Sequence, residues 1–230
     1  MKDHISESEY HAAFSNKAEA LKNALEIRKF EIDLYWKRAA YFWTFIGATF
    51  AAYGAVQASS IPSKNDLAVV LACLGFVFSF GWFCVNKGSK QWQENWENHV
   101  DLLEDGPVGP LYKIILQRPD PKGRWWVRRW ATGPASLSVS KINQIISLFV
   151  AIVWIFMLWT TLPGFSLAAA IDWEYITIIA IAALACVGFV TWGKTDFGKP
   201  HRLVAFKRIS QIDPKEPVAS SEGEKKPQGF

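Results

Sequence analysis

Four stretches of the sequence, at residues 39–58, 67–85, 142–162 and 173–192, are almost continuously apolar, and polar segments separate them. The first three contain no charged side chain, and the fourth has only Glu174 in its first turn. Each is close to the roughly 20 residues that a helix needs to cross the hydrocarbon core of a bilayer. Their ends carry the expected markers. Lys37 and Arg38 precede the first stretch, with Tyr41, Phe42 and Trp43 just inside it; Trp82 and Phe83 close the second before Asn86 and Lys87. Aromatic side chains of this kind settle at the headgroup level. Pro163 and Gly164 stop the third stretch, Asp172 is placed to cap the fourth, and Gly193 and Lys194 end it.

The polar segments flanking the first two stretches are themselves helical in pattern. Phe14, Ala18, Leu21, Leu25, Ile32 and Tyr35 recur at spacings of three and four, a heptad seam broken only by Arg28. After the second stretch no glycine or proline interrupts the chain between Gly88 and Asp105, and Trp92, Trp96, Val100 and Leu103 share one face with His99 beside them. The short connection at residues 59–65 obliges the two long helices to run antiparallel. The tryptophans then meet Leu21, Leu25 and Ile32 across a packed seam. The expected fold is an all-α membrane protein of four transmembrane helices, the first two extended into a cytoplasmic antiparallel helical hairpin.

Charge fixes the expected orientation. Of 25 lysines and arginines, all but Lys64 lie before the first stretch, between the second and third, or after the fourth. Positive charge is retained on the cytoplasmic side, so both termini and the central connection are expected there. The organisation is then a cytoplasmic N-terminal helix at 1–38, spans at 39–58 and 67–85, and a cytoplasmic helix with a basic, Trp-rich connection at 86–141. Spans at 142–162 and 173–192 follow, and 193–230 is a cytoplasmic, largely disordered tail rich in Lys, Pro, Ser and Glu. The polar start of the chain has no cleavable signal pattern, which leaves the first span as its own insertion signal. A net charge of +4 is too small to imply nucleic acid.

Little in the composition points to catalysis. The central portions of the spans lack the ionisable residues of proton- or sodium-coupled transporters. The four histidines are scattered, and Cys73, Cys84 and Cys186 all lie in apolar stretches without a CxxC pair, so no metal or other cofactor is expected. Glu97, Asp101 and Glu104 form a carboxylate row of the kind that is solvated or paired with Lys and Arg. Asn143 and Gln144, near the start of the third span, suit helix contact better than a pore mouth. Small residues offer close helix packing at Gly47 and Ala51 in the first span and at Gly75 and Ser79 in the second. In GRWWVRRW, Arg124, Arg128 and Arg129 interleave with Trp125, Trp126 and Trp130, a mixture suited to anionic lipid headgroups. Subunit contact is the second use of such a segment, and nucleic-acid stacking the least favoured.

The stretches EIDLYWKRAAYFWTFIGATFAAYGAV, FGWFCVNKGSKQWQENWENHVDLLE, GPLYK and SVSKINQIISLF resemble the bacterial RipA-type octameric membrane protein family over about residues 26–150. The matching positions include Trp36, Lys37, Arg38, Trp43, Asn86, Gly88, Ser89, Trp92, Glu94, Asn95, Trp96, His99, Asp101, Tyr112 and Lys113. The resemblance implies a homo-octamer of the bacterial cytoplasmic (inner) membrane, its partners being further copies of itself and membrane lipid, with no established enzymatic activity. The functional expectation is an assembly with a scaffold, sensing or stress-adaptation role, and the second reading is a ring-shaped channel for ions or small solutes.

Overall fold

A computed structural model describes residues 5–116, 134–163 and 172–195, and these residues are helical throughout their regular structure. The elements are α1 (Glu7–Ala12), α2 (Lys17–Ala58), α3 (Lys64–Leu103), α4 (Val139–Thr161) and α5 (Trp173–Thr191). The last four are long and apolar enough to cross a membrane. At 1.5 Å per residue, the 42 residues of α2 and the 40 of α3 extend about 63 and 60 Å, roughly twice a hydrocarbon core.

Local signals set the helix starts. Ser6 and Glu9 form a reciprocal capping box on α1, with the Ser6 amide donating to Glu9 Oε2 at 2.6 Å. Asn16 Oδ1 accepts the Glu19 amide at 3.1 Å to begin α2, and Ser138 Oγ accepts that of Lys141 at 3.4 Å to begin α4. Asp172 accepts the amides of Glu174 and Tyr175 at 3.0 and 3.3 Å, the capping role its position implied.

Helices α2 and α3 run antiparallel along their whole length. In the polar half of this hairpin, Leu21 and Ala24 pack on Val100 and Leu103, with Tyr10, Phe14, Leu25 and Trp96 closing over them. The buried stripe of α2 continues through Tyr35, Ala39, Ile46, Thr49 and Tyr53. Leu21 and Tyr35 of the expected seam lie in it, and the other expected positions are placed differently. Ala24 replaces Leu25 at the centre, Leu25 and Ile32 lie at its margin, Ala18 is exposed, and Phe14 sits in the connection before α2.

In the apolar half, α3 is the central helix and packs on α2, α4 and α5. Its buried positions there are mostly small: Ala68, Ala72, Cys73, Gly75, Ser79 and Gly81. Small residues let several helices approach one backbone where dispersion must supply the attraction. Trp154 of α4 fills the hollow they leave, fully buried beside Ala68, Ala72 and Tyr53. On another side Val69 and Cys73 meet Ala182 of α5. The remaining surface of α5 is largely exposed, with Ala182 and Cys186 its buried residues.

Candidate functional site

Polar chemistry gathers in several places among the described residues. One, between the short connection and the start of α5, holds Tyr53 with Thr161 at 2.8 Å and Tyr175 donating to Asp66 at 2.7 Å. Three other features lie farther along the hairpin. The first lies where α2, α3 and α4 meet at the edge of the apolar half. Asn143, which is 7 % exposed, donates through Nδ2 to the Tyr35 hydroxyl at 2.7 Å, and its backbone carbonyl accepts from Asn86 Nδ2 at 3.4 Å. Beside them Arg38 donates to Ser89 Oγ at 3.1 Å and lies 3.7 Å from Glu31. Asn86 and Ser89 are almost completely buried, as is most of Gln93. The arrangement joins three helices by side-chain hydrogen bonds across an apolar packing, which fixes their relative register. The Asn143 side chain is thus engaged in helix contact, and Gln144 uses its carbonyl to accept from Ser147 Oγ at 2.9 Å. Alongside, Trp36, Trp43 and Trp82 follow one another edge to face at ring separations of 6.5 and 6.1 Å.

The second feature is the distal end of the hairpin. Glu104 is fully buried, and its carboxylate accepts the backbone amides of Tyr112 at 2.8 Å and Lys113 at 3.1 Å. Its own carbonyl accepts the amides of Val108 and Gly109. The chain reverses between these bonds through Gly109, whose φ of +79° is in the left-handed region that glycine enters without steric penalty. The Arg28 guanidinium lies 5.5 Å from the centre of the Tyr112 ring, and Lys113 pairs with Asp105 at 2.5 Å. Glu104 therefore leaves the carboxylate row expected from its spacing. Glu97 does behave as a paired surface carboxylate, 3.6 Å from both Arg28 and Lys90.

The third feature is a groove lined by Phe14, Asn16, Ala20, Ala24, Trp96 and His99 at the root of α1. Tyr10 docks α1 there, its hydroxyl 2.7 Å from His99 Nδ1, and the Trp96 ring centre is 5.2 Å from that of His99. The other titratable pair on α1 is His11 with Glu7, at 3.8 Å. Burial disfavours the imidazolium and lowers the His99 pKa below its ordinary 6.5, while it raises that of Tyr10. The undocked state, with an ordinary histidine, takes up a proton more readily. Docking is therefore complete above about pH 6.5 and weakens as the pH falls through the lowered pKa. The protection of the α1 amides, taken relative to intrinsic exchange at each pH, is expected to fall as the pH drops below about 6.5 in the parent protein and to lose this dependence in His99→Gln.

The residues singled out by spacing fall into separate places. Leu21, Trp96 and His99 come together at the hairpin end, Leu25 and Ile32 border the seam, and Trp92 is the more exposed tryptophan at 37 %. Gly75 and Ser79 lie buried in α3, where Ser79 Oγ donates to the Gly75 carbonyl at 2.7 Å. Gly47 and Ala51 are exposed on the side of α2 opposite α3. Arg124, Trp125, Trp126, Arg128, Arg129 and Trp130 lie outside the described residues, as does the tail beyond residue 195. Among the described residues no three His, Cys, Asp or Glu side chains are grouped to hold a metal ion. Spacing put Glu104 in a solvated or paired row, and it missed Trp154 and the α1 capping box, of which the box has a legible signal, Ser6 followed by Glu9.

Four apolar helices threaded around a small-residue centre, joined by buried amide and hydroxyl groups, define a multi-span α-helical membrane protein. The model of the octameric membrane protein family (8xMP) matches residues 18–163, well over half of the chain, and the protein belongs to that family. No curated protein and no solved structure matches it. Membership of an octameric family supports self-association.

Proposed function

We propose that the protein is a homo-octameric assembly of the bacterial inner membrane that serves as a scaffold, sensor or stress-adaptation factor and catalyses no reaction. The family match over residues 18–163 carries this reading. It is joined by the shape of the subunit, in which about half of the α2–α3 hairpin extends past the apolar stretches and offers a long surface for neighbouring hairpins or other proteins. With all but Lys64 of the lysines and arginines on one side, this projecting half and both termini face the cytoplasm. The basic, Trp-rich segment at 124–130 then lies against anionic lipid headgroups on that face.

A ring of subunits encloses an axis, and a conducting pore along it is the second reading. The absence of ionisable side chains from the central portions of the spans favours the scaffold. Planar-bilayer recording of the reconstituted protein separates the two: silence across voltage and applied tension is expected, and reproducible unitary currents would replace the scaffold with a channel.

A further inference from the structure

Among the described residues, one exposed face of α2 is made of small residues alone. Thr44, Gly47, Ala48, Ala51, Gly54 and Ala55 are all exposed, and at 3.6 residues per turn they fall within about a third of the helix circumference. They run for about 17 Å along the axis. This strip lies opposite Ile46, Thr49 and Tyr53, the residues that α2 turns toward α3. A Cβ placed on Gly47 or Gly54 would meet nothing within 4 Å. The single hydroxyl of the strip, that of Thr44, is returned to its own helix by a 2.9 Å bond to the Ala40 carbonyl, so the surface is apolar as well as flat.

The exposed faces of α4 and α5 carry bulkier side chains, which α5 mixes with Thr177, Ala180 and Ala183. On α4 the outward residues include Ile145, Phe149, Ile152 and Phe156, and on α5 Ile181, Leu184 and Val187. Bulky side chains of this kind suit acyl chains. Glycine is a poor helix former, and packing within the subunit gives no reason for two of them on an open face of α2. Small residues become favourable in a bilayer when a second helix backbone comes close enough to gain dispersion contacts along its length. The chain belongs to a family of octamers, so each subunit has neighbours to supply such a helix.

We infer that the Thr44–Ala55 strip of α2 is a subunit interface on which a membrane-spanning helix of a second copy of this chain packs in close backbone contact. The placement rests on the octameric reading, which supplies the second copy. In a cyclic ring the strip meets a different surface of its neighbour, since a head-to-tail interface repeats one heterologous contact.

The test is the native mass of the full-length protein in lipid nanodiscs for the parent, Gly47→Leu, Ala51→Leu and the control Ile152→Phe on the bulky face of α4. The expected result is at least a tenfold loss of the octameric fraction in both leucine variants at equal concentration, with helix content unchanged and the control unaffected. Octamers at parental abundance in the leucine variants would overturn the interface while leaving the octamer itself intact, as expected of a strip that faces lipid or a pore. A parent that is not octameric would instead remove the reading on which the inference rests. If the leucine variants give no folded protein, Gly47→Ala with Gly54→Ala decides. Each Cβ enters open space within the subunit, so the inference requires at least tenfold easier dissociation on dilution, and an unchanged dilution profile overturns it.

Discussion

Replacing Gly75 by alanine is expected to unseat α4 from the centre of the subunit. A Cβ at this position would lie 2.2, 2.4 and 2.5 Å from three carbons of the Trp154 indole, far inside van der Waals contact. The ring has little room to retreat, because Trp154 is fully buried and is stacked on Phe50 at a centroid separation of 4.1 Å. Overpacking of a filled site costs about 1–3 kcal/mol, and the Gly75→Leu variant extends the collision further. Trp154→Ala acts in the other direction by emptying the hollow between Ala68, Ala72 and Tyr53, at a cost of about 3–5 kcal/mol. The two effects are coupled. In a double-mutant cycle read by thermal unfolding in detergent, Gly75→Ala is expected to be harmful beside tryptophan and close to neutral beside alanine. Equal effects of Gly75→Ala in the two backgrounds would show that the ring does not sit against Gly75.

The second large effect is expected from Glu104→Ala. The carboxylate is fully buried and holds the amides of Tyr112 and Lys113, so its removal strands two backbone donors at the point where the chain leaves α3. Hydrogen bonds to a charged group contribute about 1.5–3 kcal/mol each, and the loss is local to the turn because α3 has already ended. Limited proteolysis is expected to cut the variant between residues 105 and 116 under conditions that leave the parent intact, with the apolar half of the protein unaffected. Glu104→Gln keeps the shape, yet turns an amide NH2 toward one of the two donors, so it recovers only part of the protection. A variant as resistant as the parent would mean that the turn is held by Gly109 and the carbonyl of residue 104 alone.

The contrast between these two sites shows what the sequence makes legible. The four spans stand out because a charge inside a bilayer is costly, so their edges are written as lysine, aspartate, proline and tryptophan. The long α2–α3 hairpin follows from uninterrupted helical periodicity and one short connection. Gly75 and Ser79 are visible as a small-residue pair, but that Trp154 fills the hollow beside them is not. Tryptophan is frequent throughout the chain, and periodicity assigns residues to faces without saying which faces meet. The same gap hides the bond between Asn143 and Tyr35, whose partners are 108 positions apart. Glu104 is hidden for a different reason. Its spacing from Glu97 and Asp101 describes a solvated row, and only the reversal at Gly109, which brings residues 112 and 113 back over α3, turns it into a buried cap. The exposed Gly47 and Ala51 carry an equally ambiguous pattern, since close packing within a subunit and between subunits uses the same residues.

Self-association into a ring is the central claim, and native mass measurement of the protein in lipid nanodiscs tests it most directly. The account predicts one species of eight chains, each of 26.0 kDa, in a closed particle that persists on dilution. A monomer or dimer under the same conditions would contradict it and leave a four-span protein whose projecting hairpin serves some other partner.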